Sequence, residues 1–240
     1  MSETRVSEQL ADNYRDYYAT RSEAEWRRLG ALDKVDNIVQ LCAQIPHQSV
    51  LEIGAGEGAI LQRLSEVGFA EQLYGIDISA SGVEAIRAKR IPRLAECQVY
   101  DGYAVPYPDA RFDVAVLSHV LEHVEHPRQL LYEAARVARR VFVEVPLEDT
   151  RRRSRDFIFD SVGHINFYSP RTIRWLVQSC NLRVLRQVTT NPSKATYVFQ
   201  SGARGALNYH IKQAMIAVLP DLATSMFAYH AALLCEKAPA

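Results

Sequence analysis

The 240-residue sequence lacks net charge and has no long apolar stretch, and both absences limit what the protein can do. Its 28 basic and 28 acidic side chains balance, so no overall positive field attracts nucleic acid. No segment approaches the ~20 apolar residues that cross a bilayer, and the amino-terminal residues lack the apolar core of a signal peptide. We therefore expect a cytoplasmic protein without nucleic-acid or membrane partners, either a monomer or a homodimer.

Cysteine is also scarce, and its distribution excludes the common metal and redox motifs. Cys42, Cys97, Cys180 and Cys235 lie far apart in apolar surroundings. No two of them have the close spacing of a zinc knuckle or a redox dithiol. We expect all four to be reduced core residues.

The most informative stretch that is present reads VLEIGAGEGAIL, from Val50 to Leu61. Its first residues have the apolar character of a buried parallel strand, and its last residues begin a helical periodicity. Gly54, Gly56 and Gly58 stand between them. Glycine permits positive φ and lets the backbone approach a ligand closely, so this turn predicts a ligand-binding loop.

A second signal is an acidic residue at the end of the next predicted strand. Asp77 follows Gly54 by 23 residues, the spacing at which a carboxylate can accept hydrogen bonds from a ribose diol. Strands and helices then alternate along the chain, which predicts a doubly wound, mostly parallel Rossmann-like sheet. The predicted strands are 50–53, 72–79, 95–100, 112–117, 141–145, 182–188 and 227–235, the last of them antiparallel.

The sequence also predicts additions at both ends of this unit. Residues 1–45, which include Tyr14 and Tyr18, are expected to form a helical cap, and residues 46–240 the main domain. A helical insertion is expected at about 190–225, because that segment is too long for a hairpin loop. The aromatic residues of the cap either form the packing face of a helix or cover a ligand.

These features together resemble the class I S-adenosylmethionine-dependent methyltransferases, in their small-molecule branch. The resemblance is carried by the glycine turn with Glu52 before it, by Asp77 in GIDIS, by Asp101-Gly102, and by FDVAVLSHVLEHVEHP from Phe112. It covers residues 48–146, and a later GHINFYSP segment fits the same branch. It implies that the cofactor is S-adenosylmethionine and that a methyl group goes to an oxygen or nitrogen of a metabolite.

The resemblance also implies roles for individual residues. The glycine turn contacts the methionine part and the ribose, Asp77 holds the ribose hydroxyls, Asp101 accepts from the adenine amino group, and Ser118 begins the methionine side. Replacing Asp77 by alanine is expected to weaken cofactor binding with little effect on stability. The implied cofactor-binding residues are Glu52, Gly54, Ala55, Gly56, Gly58, Asp77, Ile78, Asp101, Gly102, Tyr103, Ser118, His119, Tyr14 and Tyr18.

Two other functions are compatible with parts of the pattern. Gly54, Gly56 and Ala59 also match the dinucleotide fingerprint of an NAD-dependent oxidoreductase, but that reading does not account for Glu52 or Asp101. A non-catalytic binding protein could share the same fold, because fold does not establish chemistry.

Histidines supply the candidates for acid–base chemistry. His119 and His164 could each take a proton from a hydroxyl acceptor, whereas a neutral amine needs no base. The HVLEH run from His119 to His123 matches a zinc-protease pattern. We expect no metal there, because the run follows a strand rather than lying on one helix and no third ligand is evident. The arginines from Arg151 to Arg155 are expected to be solvated surface or to meet an anionic substrate group.

Overall fold

The computed structural model describes residues 24–154, 156 and 163–238. Tyr14 and Tyr18 lie outside the described residues. The helices are α1 (Ala24–Cys42), α2 (Ala59–Glu66), α3 (Ala80–Lys89), α4 (Pro127–Val137), α5 (Pro170–Ser179), α6 (Lys194–Val218) and α7 (Pro220–Met226). The strands are β1 (Ser49–Ile53), β2 (Gln72–Asp77), β3 (Leu94–Val99), β4 (Phe112–Ser118), β5 (Ala138–Leu147), β6 (Leu182–Thr190) and β7 (Tyr229–Lys237).

All seven strands form one sheet in the order β3-β2-β1-β4-β5-β7-β6. The strands β1 to β5 pair in parallel, and β7 runs antiparallel to both β5 and β6. The order reverses at β1 and β4, and such a switch point opens a ligand crevice at the carboxyl ends of the strands. The predicted fold class, a doubly wound sheet with an antiparallel carboxy-terminal strand, is confirmed.

The central strands of the sheet are buried on both faces, as their continuous apolar sequences require. One face packs beneath α4 and α5, with Leu117 and Val143 completely buried. The other packs beneath α1, α2 and α3, with Val50 and Val114 completely buried. All four cysteines are buried and free, as predicted.

The additions to the sheet are helical in the described part of the chain. Val35, Ile38 and Leu41 of α1 are buried in the same cluster as β1, so this helix shares the core of the main sheet. The segment between β6 and β7 contains α6 and α7, with a kink at Ser201 and Gly202. The division into a cap, a main domain and an insertion stays a prediction. None of the helices in the described ranges is both long and apolar enough to span a membrane.

Local sequence explains where α5 begins, directly after residues 163–169, which form the late loop. Ser169 caps the helix: its Oγ accepts from the Thr172 amide at 3.2 Å, and the Thr172 Oγ1 accepts from the Ser169 amide at 2.8 Å. Pro170 occupies the first helical position, where its missing N–H removes no hydrogen bond. This capping box fixes the end of the segment that carries His164.

Candidate active site

The glycine turn between β1 and α2 has the backbone that the sequence predicts. Gly54 and Gly58 both have φ of +78°, in the left-handed region. The amides of Gly54 and Ala55 donate to the Ile76 carbonyl at 2.8 and 3.0 Å, which ties the turn to β2. A Cβ on Gly54 would lie 2.5 Å from Cγ2 of Val120. Backbone geometry and close packing therefore both require glycine at position 54.

Asp77 holds this turn in place from the end of β2. Its Oδ2 accepts from the Gly56 amide at 2.6 Å, and its Oδ1 accepts from the Ser79 amide at 2.8 Å. The side chain is 5% exposed, and burial raises its pKa against the lowering effect of those amides. Asp77 is thus part of the loop's architecture, a role that the sequence reasoning missed.

These hydrogen bonds argue against the expectation that Asp77→Ala changes stability little. Two buried amides would lose a charged acceptor, so we expect a loss of about 2 kcal/mol in the free energy of unfolding. Chemical denaturation of the variant measures this loss. Asp77→Asn is the matched control, because it keeps an acceptor oxygen and should lose less. Equal stability of Asp77→Ala and the wild type would contradict the prediction.

Glu52, at the end of β1, is a buried acid with a free oxygen. The residue is 2% exposed, and its Oε2 has no hydrogen-bond partner in the part of the chain that the structure describes. Burial raises its pKa to about 8, with Lys34 opposing and Asp77 adding to the shift. A buried acceptor without a donor indicates that a cationic or hydrogen-bonding ligand belongs there.

The predicted adenine side is only partly open. The Asp101 Oδ1 accepts from the amides of Tyr103 and Ala104 at 2.9 and 2.7 Å, which forms a tight turn after β3. Gly102 is at φ of +96°. The Tyr103 ring is completely buried in the core, where its hydroxyl accepts from the His126 amide at 3.0 Å. The structure therefore places Tyr103 beneath this turn rather than on an open surface.

A cavity of about 260 Å³ lies between the glycine turn and α1. It brings together six of the predicted residues: Glu52, Gly54, Ala55, Gly56, Ser118 and His119. Gly58, Asp77, Ile78 and residues 101–103 are not on its wall. The α1 helix adds Trp26, Asp33 and Lys34, and the chain after β6 adds Pro192 and Thr196. His230 of β7 completes the wall.

His119 occupies an unusual backbone position at the inner end of this cavity. Its φ is +58°, a conformation that non-glycine residues adopt rarely and that clusters at functional sites. Its ring lies 4.5 Å from the His230 ring, and its Nδ1 is 3.3 Å from the Glu122 Oε1. Burial lowers the His119 pKa well below its usual range, with Lys34 and His230 contributing. Burial therefore favours the neutral imidazole, whose ring nitrogens can accept a hydrogen bond or bind an ion.

His164 lies away from the cavity wall. Its Nδ1 is 2.8 Å from the Glu148 Oε2, and its ring packs 4.7 Å from that of His123. The following Asn166 donates from Nδ2 to the Leu121 carbonyl at 2.9 Å, so the late loop is fastened to the turn after β4. The structure thus joins the two predicted histidines through one polar cluster, but only His119 lines the cavity.

No third ligand for a metal at the HVLEH run is evident from the sequence, but the structure brings further ligands near it. This run is a turn and not a helix, as predicted, but further ligands do stand near it. His119, Glu144 and His230 form one candidate group, and Glu122, His123 and His164 form another. The sequence reasoning missed Glu144 and His230. A glutamate inside the apolar strand β5 was the available signal, because an unpaired buried charge is costly.

In the arginine run, the side chains of Arg152 and Arg153 pack on neighbouring aromatic rings. Arg152 stacks over the Phe227 ring at 4.3 Å, and Arg153 stacks over Phe167 at 3.2 Å. The Arg153 Nη1 is 3.5 Å from the Glu148 Oε2. These contacts give both guanidinium groups a packing role beside the late loop.

A glycine turn at a switch point, acids at successive strand ends and this sheet order together define a fold of the class I S-adenosylmethionine-dependent methyltransferase type. A family model described as a methyltransferase domain matches residues 18–187, well over half of the chain. The chain belongs to this methyltransferase family, whose methyl donor is S-adenosylmethionine. The resemblance drawn from the sequence is confirmed.

Known relatives agree with this assignment. The chain is 33% identical over 89 residues to the mitochondrial ubiquinone biosynthesis O-methyltransferase of Candida albicans, a match to 35% of this chain and 27% of that protein. It is 28% identical over 114 residues to the demethylmenaquinone methyltransferase of Renibacterium salmoninarum, covering 48% of this chain and 43% of that protein. The matches thus span less than half the length of these curated relatives.

The fold is shared more widely than the activity. The solved [4+2]-cyclase SpnF superposes with a TM-score of 0.60 at 17% identity, covering 87% of this chain and 82% of that one. At this identity the likeness concerns the fold alone. The chemistry of this chain therefore has to be argued from its own site.

Proposed function

We propose that this protein transfers the methyl group of S-adenosylmethionine to an oxygen or nitrogen of a small molecule. The observation that carries the proposal is the cavity beside the glycine turn, where the unpartnered Glu52 Oε2 lies near Lys34 and His119. A sulfonium cofactor with an ammonium, a carboxylate and a diol needs several acceptors and one cation. The residues present fit that need.

Each part of the cofactor has a candidate partner. Glu52 would accept from the ammonium, and the ammonium of Lys34, which bonds to none of the described residues, would meet the carboxylate. The carboxylate of Asp77, with Ile78 beside it, would face the ribose from the end of β2. Asp101 and Gly102 would lie near the adenine, while Gly58 and Tyr103 support the two turns from below.

Methyl transfer requires mainly alignment. The acceptor atom attacks the methyl carbon, a new bond to that carbon forms, and the carbon–sulfur bond breaks with its electron pair going to sulfur. Reacting atoms must be held about 3–3.5 Å apart and in line, and water must be kept out. An oxygen acceptor must also lose its proton, and His119 is the favoured group for that step because it lines the cavity. His164 is the less favoured candidate.

The acceptor is proposed to be a small and largely apolar molecule. Trp26, Ala31 and Pro192 supply apolar wall, and His119 and His230 supply the polar groups opposite. Two curated relatives carry names that refer to quinone biosynthesis, which supports an aromatic or quinone-like acceptor. Calorimetric titration with S-adenosylhomocysteine and NAD tests the cofactor, and mass spectrometry after incubation with phenol, quinol and amine acceptors tests the transfer. Binding of NAD without binding of S-adenosylhomocysteine would overturn the proposal.

Lys34 offers a specific prediction about the methionine end. Lys34→Met should weaken S-adenosylhomocysteine by about 10–100-fold, since a carboxylate loses a charged donor. It should change the affinity for 5′-methylthioadenosine, which has no amino-acid part, by less than about 3-fold. Titration of both ligands against both proteins measures the difference. Equal weakening of the two ligands would contradict this placement of Lys34.

A further inference from the structure

Three strands that are distant in sequence deliver two imidazoles and a carboxylate to one point at the inner end of the cavity. Ser118 at the end of β4 pairs with Glu144 of β5, and the His119 amide donates to the Glu144 carbonyl at 2.8 Å. Because β7 is antiparallel, His230 near its start pairs with Pro146 and reaches the same edge of the sheet. The register of the sheet therefore fixes this group.

The atoms of this group are spaced like metal ligands, and ring nitrogens are available to bind an ion. One ligand atom from each of His119, Glu144 and His230 lies within 4.8 Å of the others. The His119 Nε2 is buried and has no hydrogen-bond partner within residues 24–154, 156 and 163–238, and the buried His230 Nδ1 lies 3.4 Å from the Glu144 Oε1. We infer that His119, Glu144 and His230 form a binding site for a divalent transition-metal ion.

The donor set indicates which ions fit. Two imidazoles and one carboxylate suit Zn²⁺, Co²⁺ or Fe²⁺ rather than Ca²⁺ or Mg²⁺, which prefer oxygen ligands. Ligands at ~2.0–2.1 Å from a tetrahedral ion lie about 3.3 Å from one another.

Neighbouring side chains orient the ligands, as they do in metal sites. The Glu144 Oε1 accepts from the Asn37 Nδ2 at 3.0 Å, and its Oε2 accepts from the Ser118 Oγ at 3.1 Å. The Glu122 Oε1 stands 3.3 Å from the His119 Nδ1. The other ring nitrogen, Nε2, therefore faces away from Glu122. Glu122 and Glu144 are both completely buried.

The adjacent group of Glu122, His123 and His164 is the weaker candidate. The His123 Nδ1 lies 3.3 Å from the Gly163 carbonyl, and the His164 Nδ1 lies 2.8 Å from Glu148. Neither histidine is on the cavity wall, whereas His119 and His230 both are. An ion on the first group would therefore have its open position toward the cavity.

The role of the metal ion in catalysis rests on the proposed function. With an ion bound there, we infer that the methyl acceptor carries a hydroxyl oxygen. An oxygen bound at the open position loses its proton to solvent more readily, as water does on Zn²⁺. The anionic oxygen then forms a bond to the methyl carbon while the carbon–sulfur bond breaks and its pair goes to sulfur. His119 would act as a ligand in that arrangement and not as the base.

Cobalt titration of the full chain tests the site without any reference to turnover. We expect about one equivalent of Co²⁺ to give visible d–d absorption, and Zn²⁺ to displace it. His230→Ala and Glu144→Gln should each lose more than the about 10–100-fold in affinity that removal of an outer partner costs. His47→Ala is the matched control, since His47 stacks on Phe69 at the opposite end of β1 and should leave Co²⁺ binding unchanged.

Circular dichroism of each variant without metal separates lost ligands from lost folding, and if Glu144→Gln does not fold, His230→Ala decides the outcome. Absence of Co²⁺ and Zn²⁺ binding by the wild type would overturn the inference, as would full affinity in folded His230→Ala. Titration with S-adenosylhomocysteine in the presence of EDTA tests the proposed function separately. Binding of S-adenosylhomocysteine supports the proposed function whether or not the protein binds a metal. Failure to bind S-adenosylhomocysteine overturns the proposed function and leaves the Co²⁺ result unaffected.

Discussion

His119→Ala is expected to reduce turnover by about 10²–10⁴-fold while the protein keeps its fold and binds S-adenosylhomocysteine within about 10-fold of the wild type. The imidazole is at the inner end of the cavity, and the carboxylates around it are fixed by β5 and by the turn after β4. Its removal takes away either the base or an ion ligand. Single-turnover measurement with a hydroxyl acceptor, once one is identified, gives the rate.

The comparison variants make this result specific. His164→Ala should lose less activity, because its imidazole is engaged by Glu148 and does not reach the cavity wall. His47→Ala, remote from the cavity, should keep wild-type turnover. A rate for His119→Ala within about 3-fold of the wild type would refute its role. The cobalt spectrum of His119→Ala then distinguishes the two roles. The variant loses Co²⁺ binding if His119 is a metal ligand and keeps it if His119 is only a base.

The polar cluster around His119 is unusual because so much of it is buried. Glu122 and Glu144 are completely buried, and His119 and His230 are largely so. Burying charges is unfavourable unless they are compensated, so a protein keeps such a cluster where a ligand completes it. The burial of this cluster therefore supports its place at the proposed reaction site.

Local features of this fold were predictable from sequence. The glycine turn and the strand that ends at Asp77 both depend on residues within a few positions of one another. Their side-chain types constrain the backbone directly, through positive φ and apolar strand character. The predictions for these elements agree with the structure.

The convergence of distant residues was not predictable in the same way. Glu144 and His230 reach His119 only because β7 inserts antiparallel between β5 and β6 with a particular register. A shift of one residue would turn His230 to the opposite face of the sheet. The placement of the Tyr103 side chain was not predictable for the same reason. Whether it lies beside the adenine or in the core depends only on the path of the chain after Asp101.

Gly54→Ala is expected to lower the free energy of unfolding by about 2–5 kcal/mol and to abolish measurable cofactor binding at micromolar concentrations. Two separate effects add. The left-handed φ of +78° costs a residue with a Cβ roughly 1–2 kcal/mol. The new methyl would lie 2.5 Å from the Val120 Cγ2, and relieving such a contact typically costs about 1–3 kcal/mol. Chemical denaturation and calorimetric titration measure the two outcomes.

Val120→Ala resolves these contributions, because it removes the atom that the new methyl would strike and leaves the φ of Gly54 as it is. The Gly54→Ala/Val120→Ala double variant should recover the part of the stability loss that comes from the clash and keep the part that comes from the backbone. The coupling between the two sites should then be about 1–3 kcal/mol, with the double variant less destabilised than the sum of the single variants. Stability losses that simply add would mean that Val120 moves aside freely. In that case the requirement for glycine at position 54 comes from its backbone conformation alone.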